Sequence, residues 1–220
     1  YENLEELNDK KVILLGCLVS EIKNEILMKY PQIKAVVPNS DYPKISEIVK
    51  IISEGGKYIP STTSLKTHPK NFIELSSKFR ITPKSYAYIK IAEGCNNACS
   101  FCLIPKLKGG YTSRSMESIM EEAEALVSSG VKELILVAQD TGYYGVDLYG
   151  KKSLHLLLEK LAKIKGNFWI RILYVYPERI TDELLSVIQS NPKILRYFDI
   201  PLQHGDDDIL KQMRRPNRES

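Results

Sequence analysis

The chain has 220 residues, 43% of them hydrophobic, which is enough for one or two globular domains with a buried core. No apolar run approaches the ~20 residues of a membrane-spanning helix, so no membrane partner is expected. Lys and Arg number 31 against 27 Asp and Glu, and the resulting charge of +4 suits an anionic partner without requiring one.

Residues 1–10 are polar, and the chain starts at Tyr1 rather than Met, so it is read as a piece with more sequence upstream. Lys11–Gly16, a short apolar run, predicts a buried strand. Leu18, Val19, Ile22 and Ile26 then recur at helical spacing until Pro31. Ile33–Val37 predicts a second buried strand. Ile45, Ile48, Val49 and Ile52 predict the apolar face of a second helix, stopped at Gly55 and Gly56. Strand, helix, strand, helix implies an open parallel α/β arrangement, although two strands and two helices make only part of a domain. Residues 57–84 hold Pro60, Pro69 and Pro83 among Ser, Thr and Lys, and are read as a linker.

From Tyr86 the pattern becomes regular. Tyr86–Ala92 predicts a strand, and Ser115 caps a helix with the stripe Ile119, Met120, Ala123, Leu126 and Val127, closed by Gly130. Glu133–Ala138 is the next strand. Ser153 caps a helix carrying Leu154, Leu157, Leu158, Leu161 and Ile164, and Phe168–Val175 is the third strand. A helix over Thr181–Gln189, a fourth strand over Leu195–Ile200 and a helix from Asp206 to Met213 complete the series. Four βα units in a row predict a (β/α) barrel or part of one, with its site at the C-terminal ends of the strands.

After the first of those strands comes EGCNNACSFC, Glu93 to Cys102, which places Cys95, Cys99 and Cys102 in C-x3-C-x2-C spacing. Thiolates are soft ligands that favour iron–sulfur clusters, zinc or copper(I). Closed structural and electron-transfer sites take four protein ligands, whereas three leave one position open for a small molecule. The clustered cysteines also argue against a secreted disulfide framework and for a reducing compartment such as the cytoplasm.

The triple-cysteine spacing with Phe101 before the last cysteine resembles the signature of radical S-adenosylmethionine (radical SAM) enzymes. The longer run YAYIKIAEGCNNACSFCLIPKLKGGYTSR, Tyr86 to Arg114, is similar to their methylthiotransferase branch. Gln139-Asp140-Thr141 followed by YYGVDLYG, and Tyr174-Val175-Tyr176-Pro177, resemble the members that modify a ribosomal protein more than those that modify tRNA. The resemblance implies that Cys95, Cys99 and Cys102 hold a four-iron, four-sulfur cluster whose free iron binds S-adenosylmethionine. One-electron cleavage of the sulfonium would then give a radical that takes hydrogen from the β-carbon of an aspartate in small-subunit ribosomal protein S twelve, where a methylthio group is installed. It implies a reductant of the flavodoxin or ferredoxin kind and a sulfur donor. It also implies that residues 1–56 are the C-terminal part of an N-terminal methylthiotransferase domain, that 57–84 are a linker, and that 85–220 are a radical SAM partial barrel incomplete at its C-terminus. Gly16-Cys17-Leu18 matches the third cysteine of a second four-iron cluster, whose other two cysteines are not in this chain. Read without the resemblance, Cys17 is a small buried hydrophobe at the end of a strand.

Strand alternation sorts the remaining polar residues. Ile170 and Ile172 suit the helix-covered face, which turns Arg171 inward; Ile89 and Ile91 likewise turn Lys90 inward. Asp199 and Gln203 share a face opposite Phe198, Ile200 and Leu202. Charges in a barrel interior need a partner or a ligand. Two readings stand: an ion pair such as Lys90 with Asp199, or contacts to the cofactor from Arg171, Gln203, Gln139 and Asp140. Lys106, Lys108, Gly109, Gly110 and Arg114 form a basic loop, solvated or substrate-facing. Competing functions are tRNA adenosine methylthiolation, an electron-transfer iron–sulfur module and a structural zinc site. The last two call for a fourth cysteine or histidine ligand near Cys102, and none follows at a usual spacing.

Overall fold

A computed structural model describes residues 2–16, 19–60 and 83–215. The chain divides into two compact units, Tyr1–Ile73 and Glu74–Ser220. Cys17 and most of the expected linker lie outside the described residues.

The first unit runs α1 (Glu2–Glu5), β1 (Val12–Leu15), α2 (Val19–Lys29), β2 (Ile33–Val37), a 3-10 turn over Asn39–Lys44, and α3 (Ile45–Ser53). β1 and β2 are parallel, with Leu14 opposite Val36. Val36 packs with Val12, Val19, Ile26 and Tyr30, while its neighbours Ala35 and Val37 pack with Ile48 and Ile52 on the other face. Both faces are covered, which is why β2 reads as an almost unbroken apolar run. Two features depart from expectation. Val49 is 48% exposed, because α3 turns Ile45, Ile48, Ile51 and Ile52 toward the core and leaves Val49 on the free flank. Tyr58, expected in the linker, instead makes a parallel bridge to Ala35, donating from its N–H to the Lys34 carbonyl and accepting from Val36 N–H, both at 2.9 Å.

The second unit runs β3 (Tyr86–Lys90), β4 (Ala92–Glu93), α4 (Ile104–Lys108), β5 (Thr112–Ser113), α5 (Met116–Ser128), β6 (Glu133–Val137), α6 (Val146–Tyr149), α7 (Leu154–Ala162), β7 (Trp169–Ile172), α8 (Asp182–Ser190) and α9 (Asp207–Gln212). Its sheet has the order β3-β6-β7, every pair parallel. Ile89, Leu134, Leu136, Ile170 and Ile172 turn to one face, where Ile119, Ala123, Leu157, Leu158, Leu161, Leu184 and Ile188 of α5, α7 and α8 bury them. The other face carries Tyr88, Lys90, Trp169 and Arg171 and is open, with Tyr88 and Trp169 more than half exposed. The expected facing of Arg171 and Lys90 therefore holds. Ser115 caps α5, its hydroxyl accepting from Ser118 N–H, and Thr181 does the same for α8 through Leu184 N–H.

Four expectations need correction. Tyr86–Ala92 is not one strand: β3 ends at Lys90, and Ala92–Glu93 leave the sheet to pair antiparallel with Thr112–Ser113. Phe168–Val175 shortens to β7, since Tyr174 takes a φ of 57° that no strand can continue through. Ser153 precedes α7 but does not cap it; its backbone is not in the extended region, and its hydroxyl donates to the Lys151 carbonyl at 2.9 Å. Leu195–Ile200 forms no ladder. The segment touches β7 through an Ile170–Ile194 bridge and a bond from Leu195 N–H to the Ile170 carbonyl, and beyond β7 the Asp199 carbonyl accepts from Val175 N–H. Tyr197 and Leu202 N–H, however, turn back to the carbonyls two residues before them, and Pro201 has no N–H to offer.

Candidate functional site

Because β3, β6 and β7 are parallel, the segments leaving their C-terminal ends gather at one edge of the sheet. Those segments are the cysteine loop, Gln139–Asp140 and Tyr174–Arg179. The β4–β5 pair closes the foot of the cysteine loop, which spans residues 94–111. Gly94 makes the entry turn at φ 80°, and a Cβ there would lie 2.3 Å from the Gly110 carbonyl oxygen, so only glycine passes. Cys95 N–H donates to the Gly109 carbonyl at 3.3 Å, and Tyr111 N–H donates to the Asn96 side-chain oxygen at 2.9 Å. Lys108 and Lys90 hold Glu93 at the base, at 2.6 and 3.3 Å.

Cys95 and Cys99 are buried, Cys102 is half-buried, and all three are free thiols. Two loop amides point at sulfur: Asn97 N–H to Cys95 Sγ and Ile104 N–H to Cys102 Sγ, each at 3.4 Å. The Tyr176 hydroxyl lies 4.0 Å from Cys99 Sγ. Burial pushes the Cys95 thiol up, against the opposing pull of Asn97, and burial followed by proximity to Cys99 keeps the Tyr176 phenol neutral. Thiolates that receive N–H donors are the donor set of an iron–sulfur cluster, and those donors tune its potential. Among the described residues no three His, Cys, Asp or Glu side chains are arranged around a single ion. A four-iron cluster does not ask for that, because each thiolate binds a different iron.

Asp140, 1% exposed, anchors the next layer. One carboxylate oxygen, Oδ2, accepts from Asn97 Nδ2 and from Arg179 Nε, both at 3.3 Å, and its main-chain carbonyl accepts from the Tyr111 hydroxyl at 2.8 Å. Burial pushes its carboxyl up, while Arg179 and Asn97 pull it back. The other oxygen, Oδ1, and Oε1 of Gln139 are buried acceptors that find no hydrogen-bond donor among the described residues. Such atoms are expensive to leave bare and call for a donor, from an ordered water or a ligand.

The other sequence candidates divide. Phe101 and Gln203 come together with Ser100, Ile209, Gln212 and Met213 around an open cavity of about 560 Å³ beside the cysteine loop. Arg171 is engaged elsewhere: it pairs with Glu133 at 2.5 Å and its guanidinium lies 5.0 Å from the centre of the Tyr197 ring. The suggested pair of Lys90 with Asp199 does not form, since Lys90 bonds Glu93, and Asp199 accepts from Tyr174 N–H at 3.3 Å. In the basic loop, Lys108 is tied to Glu93, and Arg114 is tied to Glu122 and Ser118. His204 accepts from Asp206 N–H at 3.0 Å, just before α9. Arg179 and Asn97 were not singled out by sequence reasoning. Their signal was weak: an Asn inside the cysteine motif and an Arg in a turn after a strand.

Residues 89–220 match the Radical SAM superfamily. This chain belongs to that superfamily. Radical SAM membership implies a four-iron, four-sulfur cluster and S-adenosylmethionine. The chain is 49% identical over 208 residues to a ribosomal protein uS12 methylthiotransferase RimO of Thermoanaerobacter sp. (strain X514), across 94% of this chain and 46% of that protein. It is 47% identical over 206 residues to the protein of the same name from Clostridium botulinum (strain Eklund 17B / Type B), with the same coverage of each chain. It thus spans about half the length of the curated relatives it matches. Among solved structures, TsrM of Kitasatospora setae, a radical S-adenosylmethionine methyltransferase, superimposes with a TM-score of 0.67 at 16% identity, over 100% of this chain and 47% of that one. The cobalamin-dependent radical enzyme OxsB gives 0.61 at 12% identity, over 95% of this chain and 33% of that one. The mixed α/β radical SAM fold is shared with both. No helix among the described residues is long and apolar enough to cross a membrane.

Proposed function

We propose that this chain is the cluster-bearing part of a radical SAM methylthiotransferase that adds a methylthio group to the β-carbon of an aspartate in ribosomal protein uS12. The observation that carries the choice of substrate is the 49% identity, over 94% of the chain, to a protein named for that reaction. The QDT and YVYP strings at the ends of β6 and β7 support it.

In this reading Cys95, Cys99 and Cys102 hold the four-iron cluster, and the bound pair of cluster and S-adenosylmethionine supplies a radical able to take hydrogen from an unactivated carbon. The protein's part is positioning and exclusion of water. The amides of Asn97 and Ile104 donate to the thiolates and stabilise them in charged form. Gln139 Oε1 and Asp140 Oδ1 offer acceptors to ammonium or hydroxyl groups of the cofactor, and Phe101 and Gln203 line the cavity that receives it. Arg171 lies on the open sheet face and would have to exchange its bond to Glu133 to reach the cofactor. Cys17 would join two cysteines outside this chain on the second cluster. A flavodoxin- or ferredoxin-like reductant, a sulfur donor and the ribosome or free uS12 are the partners, and the cytoplasm is the compartment that keeps the thiols reduced.

The test is anaerobic reconstitution with iron and sulfide, followed by electron paramagnetic resonance of the reduced protein with and without S-adenosylmethionine. A four-iron signal that changes when S-adenosylmethionine is added is expected. A zinc-loaded protein with no such signal overturns the cluster reading. Incubation with purified uS12 and with tRNA then decides the substrate: a modified adenosine with unmodified uS12 overturns the substrate named here.

A further inference from the structure

We infer that Arg179 is a positioning residue for the cysteine loop, acting through Asn97 and Asp140; the inference rests on the cluster reading above. One guanidinium makes two directed bonds, Nε to Asp140 Oδ2 and Nη2 to Asn97 Oδ1, both at 3.3 Å. Asn97 closes the triangle by donating Nδ2 to the same Asp140 oxygen at 3.3 Å. Asn97 stands between Cys95 and Cys99, and its own N–H donates to Cys95 Sγ. The triangle therefore joins the turn after β7 and the end of β6 to the residue that orients the first cysteine.

The surroundings hold Arg179 in that pose. Its guanidinium lies 4.8 Å from the centre of the Tyr143 ring, Tyr143 meets Tyr111 edge-on at 5.1 Å, and the Tyr111 hydroxyl returns to the Asp140 carbonyl. Gly142 lies directly beneath: a Cβ there would sit 2.3 Å from Arg179 Cβ. A planar fork that bonds an amide and a carboxylate at once is a task for arginine, and lysine brings only a point charge. Arg179, itself partly exposed, pairs with the buried Asp140, which has no other cation in contact among the described ion pairs.

The prediction is read on the reconstituted protein as survival of the S-adenosylmethionine-sensitive four-iron signal under an iron chelator. Asn97→Ala, Arg179→Met, Arg179→Lys and Gly142→Ala should each speed its loss about tenfold, the scale of partners that orient metal ligands. The double variant Asn97→Ala with Arg179→Met should lose the signal no faster than either single one, since both cut the same link. Multiplied rates in the double variant, or wild-type survival in Asn97→Ala and Arg179→Lys, would overturn the inference while leaving the cluster in place. A wild-type protein that forms no four-iron signal overturns the cluster reading and this inference together.

Discussion

Glu93 shows how single residues at the foot of the loop are set. Burial works to raise its carboxyl, but the hydrogen bond from Lys108 and the charge of Lys90 outweigh that and hold it below the ordinary carboxylate range. A depressed folded-state value means that its contribution to stability is present above the unfolded value, about 4.5, and is lost as pH falls through the folded one. Thermal melts of wild-type and Glu93→Gln protein should therefore differ at pH 7, with the wild type higher, and the gap should close in acid. A gap that stays constant down to pH 3 would show that Glu93 is not held by its charge. At this scale the cysteine triad stood out in the sequence because three soft ligands at short spacing are a local pattern. Arg179 was not, because its partners stand 82 and 39 positions away and only the fold brings them together.

At the scale of elements, periodicity foretold helices better than strand limits. α5, α7 and α8 bury the apolar stripes their sequences carry, and Ser115 and Thr181 cap where a short polar acceptor stands before the run. Strands depend on a partner, and the sequence does not say how far a partner runs. Residues 195–200 have the apolar composition of a strand but bond partly to themselves. Their amides should exchange with deuterium well before those of 134–136 and 170–172, which lie in a regular parallel ladder covered on one face by helices. Equal protection in the two regions, measured by hydrogen exchange with mass spectrometry, would mean that a fourth strand forms in solution.

At the scale of the whole second unit, one sheet face is sealed by helices and the other is open. Trp169, the one tryptophan of the chain, is 54% exposed on that open face beside Arg171. Its fluorescence in the 220-residue chain should be that of an indole in water and should be quenched readily by acrylamide. A blue-shifted, protected emission would show that this face is covered. The cavity beside Phe101 and Gln203, and the acceptors of Gln139 and Asp140 that lack a donor among the described residues, lie at the C-terminal edge of this sheet, where the function proposed above puts the cofactor.

Sequence alone determined the class of fold and placed three soft ligands at short spacing. The spacing of Cys95, Cys99 and Cys102 and the repeated βα pattern are local properties, written in ligand type and in periods of two and 3.6 residues. It also put Ile170 and Ile172 on one face and Arg171 on the other, because side chains alternate along any strand. Tertiary structure alone decided which polar groups meet. Arg171 took Glu133, Lys90 took Glu93 rather than Asp199, and Asp140 took Asn97 and Arg179. Those choices depend on the register of parallel strands and on where each one stops, and register is set by packing between residues far apart in the chain.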